Sequence, residues 1–339
     1  TIDVVNVDFK ASAAVGTGGD TVTATNIETV NFTNSFSQTG TDEAGKVNVV
    51  KLVATKATTI TVTGDDGLTL TNTGNTKVTN FDASGVVATT TADTATNMAV
   101  TFVSANTSTT ATVSITGGAG DDALTGNASI DTISGGKGDD TITASAGNDV
   151  ITGGAGADTF TFNTTLDADV IDGSDIIAGG KGSDTLVVNV LTIAGNITIT
   201  TAVSSVENYT FNSADTLALT FTLADSGVVT SALQANTGVV DATGMTGSGA
   251  LTFSADAEDD SDMHITGGRA GDTLTGGNAT ASAATGAALF DTIYGGDGGD
   301  TIDGGAGIDK LYGQGGNDTI AVSDDADFVG LTAAETVDG

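Results

Sequence analysis

Apolar and polar residues alternate one by one over short stretches of this chain. Thr59-Ile60-Thr61-Val62-Thr63 and Leu68-Thr69-Leu70-Thr71 are examples. That period of two places the apolar side chains on one face of a β-strand. Asp65-Asp66-Gly67 and Thr73-Gly74-Asn75 supply turns between such strands, and short strands so closely spaced suit either a continued solenoid or a β-sandwich. A longer period is superimposed on this one. Leu124, Ile133, Ile142, Ile151 and Phe160 are nine residues apart, and each follows a glycine-rich turn. Ile293, Ile302, Leu311 and Ile320 form a second such series.

The turn half of the nonapeptide reads Gly135-Gly136-Lys137-Gly138-Asp139-Asp140 in one copy and Gly117-Gly118-Ala119-Gly120-Asp121-Asp122 in another. Glycine at this density is costly in a helix or a central strand and suits a turn that visits positive φ. The three residues that follow, such as Thr141-Ile142-Thr143, are β-formers with one apolar side chain. Turn and short strand in alternation wind a parallel β-solenoid with two strands per coil. Residues eighteen apart then stack, at a strand spacing of about 4.8 Å.

The sixth position of the repeat carries the chemistry. Asp122, Asp131, Asp140, Asp149 and Asp158 keep a step of nine, as do Asp291, Asp300, Asp309 and Asp318. Stacking places Asp122 against Asp140 and Asp131 against Asp149. Carboxylates that close repel unless a cation lies between them. Carboxylates and the carbonyls of tight turns are oxygen ligands suited to Ca²⁺ at about 2.3–2.6 Å. Magnesium demands a tighter octahedron, and zinc wants His or Cys, of which the chain has one and none. Asp175, Asp184, Asp272 and Asp20 are weaker members of the series. The copy Gly126-Asn127-Ala128-Ser129-Ile130-Asp131 has lost most of its glycines. Gly267-Gly268-Arg269-Ala270 lacks the fourth, and inserted residues separate Asp272 from Asp291. These departures weaken the calcium expectation there.

Composition narrows the reading. The 339 residues include 9 basic and 43 acidic side chains, a formal charge of −34, which repels nucleic acid and anionic membranes. No stretch approaches the ~18 consecutive apolar residues of a membrane span. Without cysteine there is no disulfide, thiolate site or cysteine nucleophile. Many carboxylates among glycines, with few aromatics, resemble a disordered segment until a cation is bound. Metal-binding free energy then becomes folding free energy. The chain is expected to stay loose in calcium-poor cytosol and to fold outside the cell.

A larger repeat contains the nonapeptides. Asp20-Thr21-Val22 is followed by Ile27-Glu28-Thr29-Val30-Asn31-Phe32, and Asp184-Thr185-Leu186 by Val206-Glu207-Asn208-Tyr209-Thr210-Phe211. Phe81-Asp82-Ala83-Ser84-Gly85 matches Val240-Asp241-Ala242-Thr243-Gly244. Two units are visible, roughly 20–187 and 188–321, with both chain ends inside neighbouring modules. The chain reads as a piece of a longer repetitive protein. The expected segments are a β-solenoid or β-module over 1–115, a first calcium roll over 116–187, a β-module over 188–265, a second roll over 266–322, and the start of a further module over 323–339. Glu28 and Glu207 read as edge or capping residues, with a calcium-ligand role as the alternative.

The nonapeptide resembles the calcium-binding repeat of RTX proteins. Between the runs, Gly67-Leu68-Thr69-Leu70-Thr71-Asn72-Thr73-Gly74-Asn75-Thr76, Val78-Thr79-Asn80-Phe81-Asp82-Ala83-Ser84 and Val100-Thr101-Phe102-Val103-Ser104-Ala105-Asn106-Thr107 resemble the C-terminal part of Caulobacter-type bacterial surface-layer proteins. The resemblance is strong over 50–160 and looser over 188–330. It implies an all-β fold, a right-handed parallel β-roll or β-solenoid with additional β-strand modules. It also implies export by a type I system from a Gram-negative cell, calcium-driven folding, and a two-dimensional lattice of protomers on the cell surface. Any contact with surface polysaccharide would lie outside this chain. The ligands it implies are the sixth-position aspartates named above, with Asp184 and Asp272, and carbonyls of Gly117, Gly135, Gly153, Gly295 and Gly304. Fifth-position Asp121, Asp139, Asn148 and Asn317 are further candidates for side-chain oxygens.

Catalytic constellations are not apparent. His264 is the only histidine and lies outside any His-Glu-x-x-His, so it reads as a solvated or packing residue. No Gly-x-Ser-x-Gly occurs. Acid pairs Asp259-Asp260 and Asp324-Asp325 read as loop charges or peripheral calcium ligands. The expectation is a structural, non-enzymatic protein. The alternatives are an RTX adhesin or passenger, favoured by any exposed aromatic platform, and the calcium-binding tail of a secreted enzyme.

Overall fold

The computed structural model describes residues 2–9, 20–35, 47–91, 93–164, 175–190, 197–199, 202–214, 216, 218–223, 237–258, 261–278, 290–321 and 336–338. Asp259-Asp260, Asp324-Asp325, the side chain of Asp20 and most of the expected module over 323–339 lie outside them. Among the described residues there are strands and turns and no helix. The strands pair in parallel. The nonapeptide period predicts the observed all-β solenoid; outside the runs, where the alternation also suited a β-sandwich, the strands join the same parallel sheets.

The chain forms two compact units, Thr1–Thr161 with Gly180–Gly182, and Phe162–Gly179 with Ser183–Gly339. In the first, alternate strands build two sheets. One runs Val4–Phe9, Thr29–Asn34, Thr59–Gly64, Asn80–Val86, Val113–Thr116, Asp131–Lys137 and Val150–Ala155. The other runs Asp20–Thr23, Asn48–Val53, Leu68–Thr71, Val100–Val103, Ala123–Thr125 and Thr141–Ala144. Each coil thus contributes one strand to each sheet. The nonapeptide coils hold a fixed length, since Leu124 pairs with Ile142 and Ile133 with Ile151, each eighteen residues on. Outside them the coils are longer, as where Asn80 pairs with Ser114.

The second unit repeats the plan. Thr185–Val190, Asn208–Ser213, Thr237–Met245, Asp262–Thr266, Thr292–Asp297, Lys310–Gly315 and Thr336–Asp338 form one sheet. Ile197–Ile199, Leu219–Thr222, Leu251–Ser254, Thr273–Thr275, Thr301–Asp303 and Thr319–Ala321 form another. Ile293 pairs with Leu311 and Ile302 with Ile320, again eighteen apart.

Alternation fixes the core. Along Thr29–Asn34 and Thr59–Gly64, Val30, Phe32, Ile60 and Val62 are buried while their neighbours face out. The period-nine residues Leu124, Ile133, Ile142, Ile151 and Phe160 are all buried, as are Ile293, Ile302 and Leu311; Ile320 is half-buried. Phe81 stacks on Phe102 with ring centroids 3.9 Å apart, which ties two of the blocks ahead of the first repeat run into one core.

The structure revises the alignment of the larger repeat. Glu207 Oε2 accepts the backbone N–H of Asp184 at 2.8 Å, and Glu28 Oε2 accepts that of Asp3 at 2.9 Å. Asp3, not Asp20, is therefore the counterpart of Asp184. The Asp-Thr-Val at 20–22 drew the sequence comparison to the wrong acid. The match of Asp82 with Asp241 holds in detail. Asp82 Oδ1 accepts from the Ser84 N–H and hydroxyl, and Asp241 Oδ1 from the same two groups of Thr243.

Candidate metal centres

The glycine loops lie where each coil turns from one sheet to the other. Gly136 has φ 119° and Gly138 has φ 105°, conformations that a side chain resists. Their need for glycine is also spatial. A Cβ at Gly136 would overlap the Gly118 carbonyl oxygen of the preceding coil, and one at Gly138 the Gly120 carbonyl. The loops therefore stack backbone on backbone, with carbonyl oxygens close to the coil above. The same alternation of positive φ recurs at Gly154 and Gly156 and at Gly296 and Gly298.

The sixth-position aspartates turn inward and stack at eighteen residues, as the spacing predicts. Asp140 Oδ1 accepts the N–H of Asp122 at 2.8 Å, Asp149 Oδ1 that of Asp131 at 2.8 Å, and Asp158 Oδ1 that of Asp140 at 2.9 Å. In the second run Asp309 Oδ1 takes the Asp291 N–H at 2.8 Å and Asp318 Oδ1 the Asp300 N–H at 3.0 Å. The ten residues inserted before Asp291 leave the column intact, because Asp300 Oδ1 still accepts the N–H of Asp272 at 2.7 Å.

Asp122, Asp131, Asp140, Asp149, Asp158, Asp272, Asp291, Asp300 and Asp309 are buried, and Asp318 is half-buried. Burial, opposed by backbone hydrogen bonds and reinforced by neighbouring carboxylates, pushes Asp140 up to about 8 and Asp291 up to about 8. Asp122 and Asp131 rise to about 7, and Asp158 and Asp272 to about 6, with desolvation the largest cause in each. A carboxylate held this way demands a proton or a metal ion.

The donor geometry fits a hard cation. Asp140 Oδ2, Asp300 Oδ2 and Asp318 Oδ2 are buried and accept no hydrogen bond. Each faces the first glycine of its own loop, so closely that a Cβ at Gly135, Gly295 or Gly313 would overlap it. Among the described residues no three His, Cys, Asp or Glu side chains gather as a cluster. An ion there must take most of its shell from backbone carbonyls, which is oxygen-only coordination of the Ca²⁺ type.

The remaining sequence candidates fall in several places. The carbonyls of Gly135, Gly153, Gly295 and Gly304 face the first glycine of the preceding loop in their columns, and Gly117 lies against the Gly135 carbonyl. Asp121 Oδ1 and Asp139 Oδ1 cap the N–H groups of Asp139 and Ala157 at 2.9 and 2.7 Å, while Asn148 and Asn317 are exposed. Asp184 is buried beneath the Glu207 cap. His264 is exposed, with its ring 5.8 Å from that of Tyr294.

Asp65 escaped the motif reading. It is buried, its Oδ2 accepts the Thr89 hydroxyl at 2.7 Å, and its Oδ1 has no hydrogen-bond partner. Only the turn Asp65-Asp66-Gly67 marks it in sequence, and turns of that composition are usually exposed.

Comparison with known proteins agrees with this geometry. The RTX calcium-binding nonapeptide repeat matches in four copies, over residues 113–133, 125–160, 165–187 and 290–329. Neither the curated proteins nor the solved structures give a match. The chain carries RTX calcium-binding nonapeptide repeats, which bind Ca²⁺ at several sites and are typical of secreted, extracellular proteins.

Proposed function

We propose that this chain is part of a structural surface-layer protein, in which calcium completes the fold after secretion and supports assembly into a two-dimensional lattice. The observation that carries the reading is the nature of the blocks between the repeat runs. Within each unit they are solenoid coils, packed in the first through contacts such as Phe81 on Phe102, and their local geometry recurs at Asp82 and Asp241. Repetition of a polar, rigid element suits a lattice protomer. The resemblance of these blocks to surface-layer proteins supports the same role, and so does a formal charge of −34, which multivalent cations can bridge. No enzymatic role is proposed. Electron microscopy of protein dialysed from chelator into millimolar calcium tests the reading. Ordered sheets that dissolve when chelator returns are expected. Folded but dispersed particles at every calcium concentration would count against it.

A second reading, a binding passenger, is favoured by one feature. Tyr294 and Tyr312 stack at 4.7 Å on an outward-facing strand pair, neither is fully buried, and exposed His264 lies beside them. Outward aromatic rings of this kind suit contact with sugars. Glycan-array binding abolished by Tyr294→Ala, without lattice formation, would favour it.

A further inference from the structure

The repeat-bearing aspartates are not equivalent. Asp122 Oδ2 accepts the N–H of Gly118 at 2.6 Å, Asp272 Oδ2 that of Gly268 at 2.6 Å, and Asp291 Oδ2 that of Gly277 at 2.6 Å. Their other oxygens are also engaged by backbone. Asp122 Oδ1 accepts from Val100 at 2.7 Å, Asp272 Oδ1 from Leu251 at 2.8 Å, and Asp291 Oδ1 from Met263 at 2.6 Å. In Asp140, Asp300 and Asp318 the corresponding Oδ2 is bare.

The backbone explains the difference. Gly136, Gly296 and Gln314, the second residues of the bare loops, have φ of 119°, 105° and 68°. Gly118, Gly268 and Gly277, which donate in the capped loops, are not at positive φ. In these three capped loops the second residue stays at negative φ and its N–H points at the carboxylate. That N–H dipole occupies the oxygen lone pairs a cation would use, and its positive end opposes a cation nearby. Asp131 Oδ2 likewise accepts the N–H of Asn127 at 2.7 Å, but its Oδ1 has no hydrogen-bond partner. Asp122, Asp272 and Asp291, with both oxygens engaged, share one further property. Each heads its column, and its Oδ1 partner, Val100, Leu251 or Met263, belongs to a coil without the nonapeptide.

We infer that the calcium columns begin one coil later than the motif does. Asp122, Asp272 and Asp291 are metal-independent splices that lock each repeat run onto the preceding solenoid coil, and calcium binding through side-chain oxygens starts at Asp140 and Asp300. The chain therefore binds fewer ions than its nonapeptides suggest. The preceding coils, with the splice made, form the template on which the calcium-requiring coils wind. The inference rests on calcium binding by the repeats, not on the surface-layer reading.

The test is calcium stoichiometry of the full 339-residue chain, measured by calorimetry and native mass spectrometry with Ca²⁺ alone, for wild type, D122N, D272N, D140N and D300N. D140N and D300N are expected to lose at least one ion each, and D122N and D272N to keep the wild-type count while melting at lower temperature. An ion lost from D122N or D272N overturns the assignment. If those variants do not fold, ion positions in a calcium-loaded wild-type crystal decide. An ion within about 2.3–2.6 Å of Asp122 or Asp272 Oδ2 overturns it, and ions confined to the later loops support it. A wild-type chain that takes up no calcium overturns the calcium reading itself, which separates that failure from this one.

Discussion

The backbone N–H of Asp140 donates to Oδ1 of Asp158, 2.9 Å away and eighteen residues along the chain. One carboxylate thus ties two coils, its Oδ1 capping an N–H of the coil before it. Asp158→Ala removes the cap and leaves a buried N–H without an acceptor. A loss of about 1–3 kcal/mol is expected in the calcium-loaded protein. Denaturant melts at saturating calcium measure it, and an unchanged midpoint would sink the stacked-aspartate account.

The raised carboxylates predict an inverted pH profile for the calcium-free protein. Asp140 and Asp291 stand at about 8 in the fold against an ordinary 3.8, so folding favours their protonated forms. Their contribution is fully present below the ordinary value and is lost as pH rises through about 8. In chelated buffer the melting temperature should therefore fall between about pH 5 and pH 8. Saturating calcium should flatten this fall, because an ion held by Asp140 binds its deprotonated form. Parallel slopes with and without calcium would contradict this.

Gly136 and Gly74 make a matched pair. Both have positive φ, 119° and 90°, but a Cβ at Gly136 overlaps the Gly118 carbonyl while one at Gly74 meets nothing within 4 Å. Gly74→Ala should cost only the backbone strain, about 1–3 kcal/mol. Gly136→Ala should cost more and also weaken calcium binding, since it forces apart two stacked loops. Equal losses in thermal melts would show that the close approach is unimportant.

Glu207 separates a cap from a ligand. Its carboxylate, shifted upward chiefly by burial, accepts the Asp184 N–H. Glu207→Ala should destabilise the fold by about 1–3 kcal/mol with the number of bound calcium ions unchanged. A lower count in native mass spectrometry would make Glu207 a ligand after all.

Gln314 sits at φ 68° in a loop position that Gly136 and Gly296 fill in other copies. Left-handed backbone costs a residue with a side chain roughly 1–2 kcal/mol. Gln314→Gly is expected to raise calcium-loaded stability by about 1 kcal/mol. A neutral or destabilising result would mean that the Gln314 side chain contributes a compensating contact.

Periodicity alone determined the solenoid of the nonapeptide runs, the eighteen-residue stacking and the buried row from Leu124 to Phe160; that the other strands continue a solenoid and do not form a sandwich was decided in three dimensions. A period of nine that alternates turn and strand admits few other foldings, and each apolar residue can face only one way. The oxygen-only ligand chemistry was equally legible, because it follows from residue types. Three further matters depended on tertiary structure. Asp3 proved to be the counterpart of Asp184, since a hydrogen bond to a glutamate in the following coil carries no local signature. Asp65 proved buried, because a turn becomes buried only when a distant segment such as Thr89 covers it. The division of the aspartates into capped and bare also appeared only in three dimensions. Gly118 and Gly136 occupy the same motif position, and glycine permits either sign of φ. Which sign each takes is set by the coil it packs on, a plain solenoid coil for Asp122 and a repeat coil for Asp140.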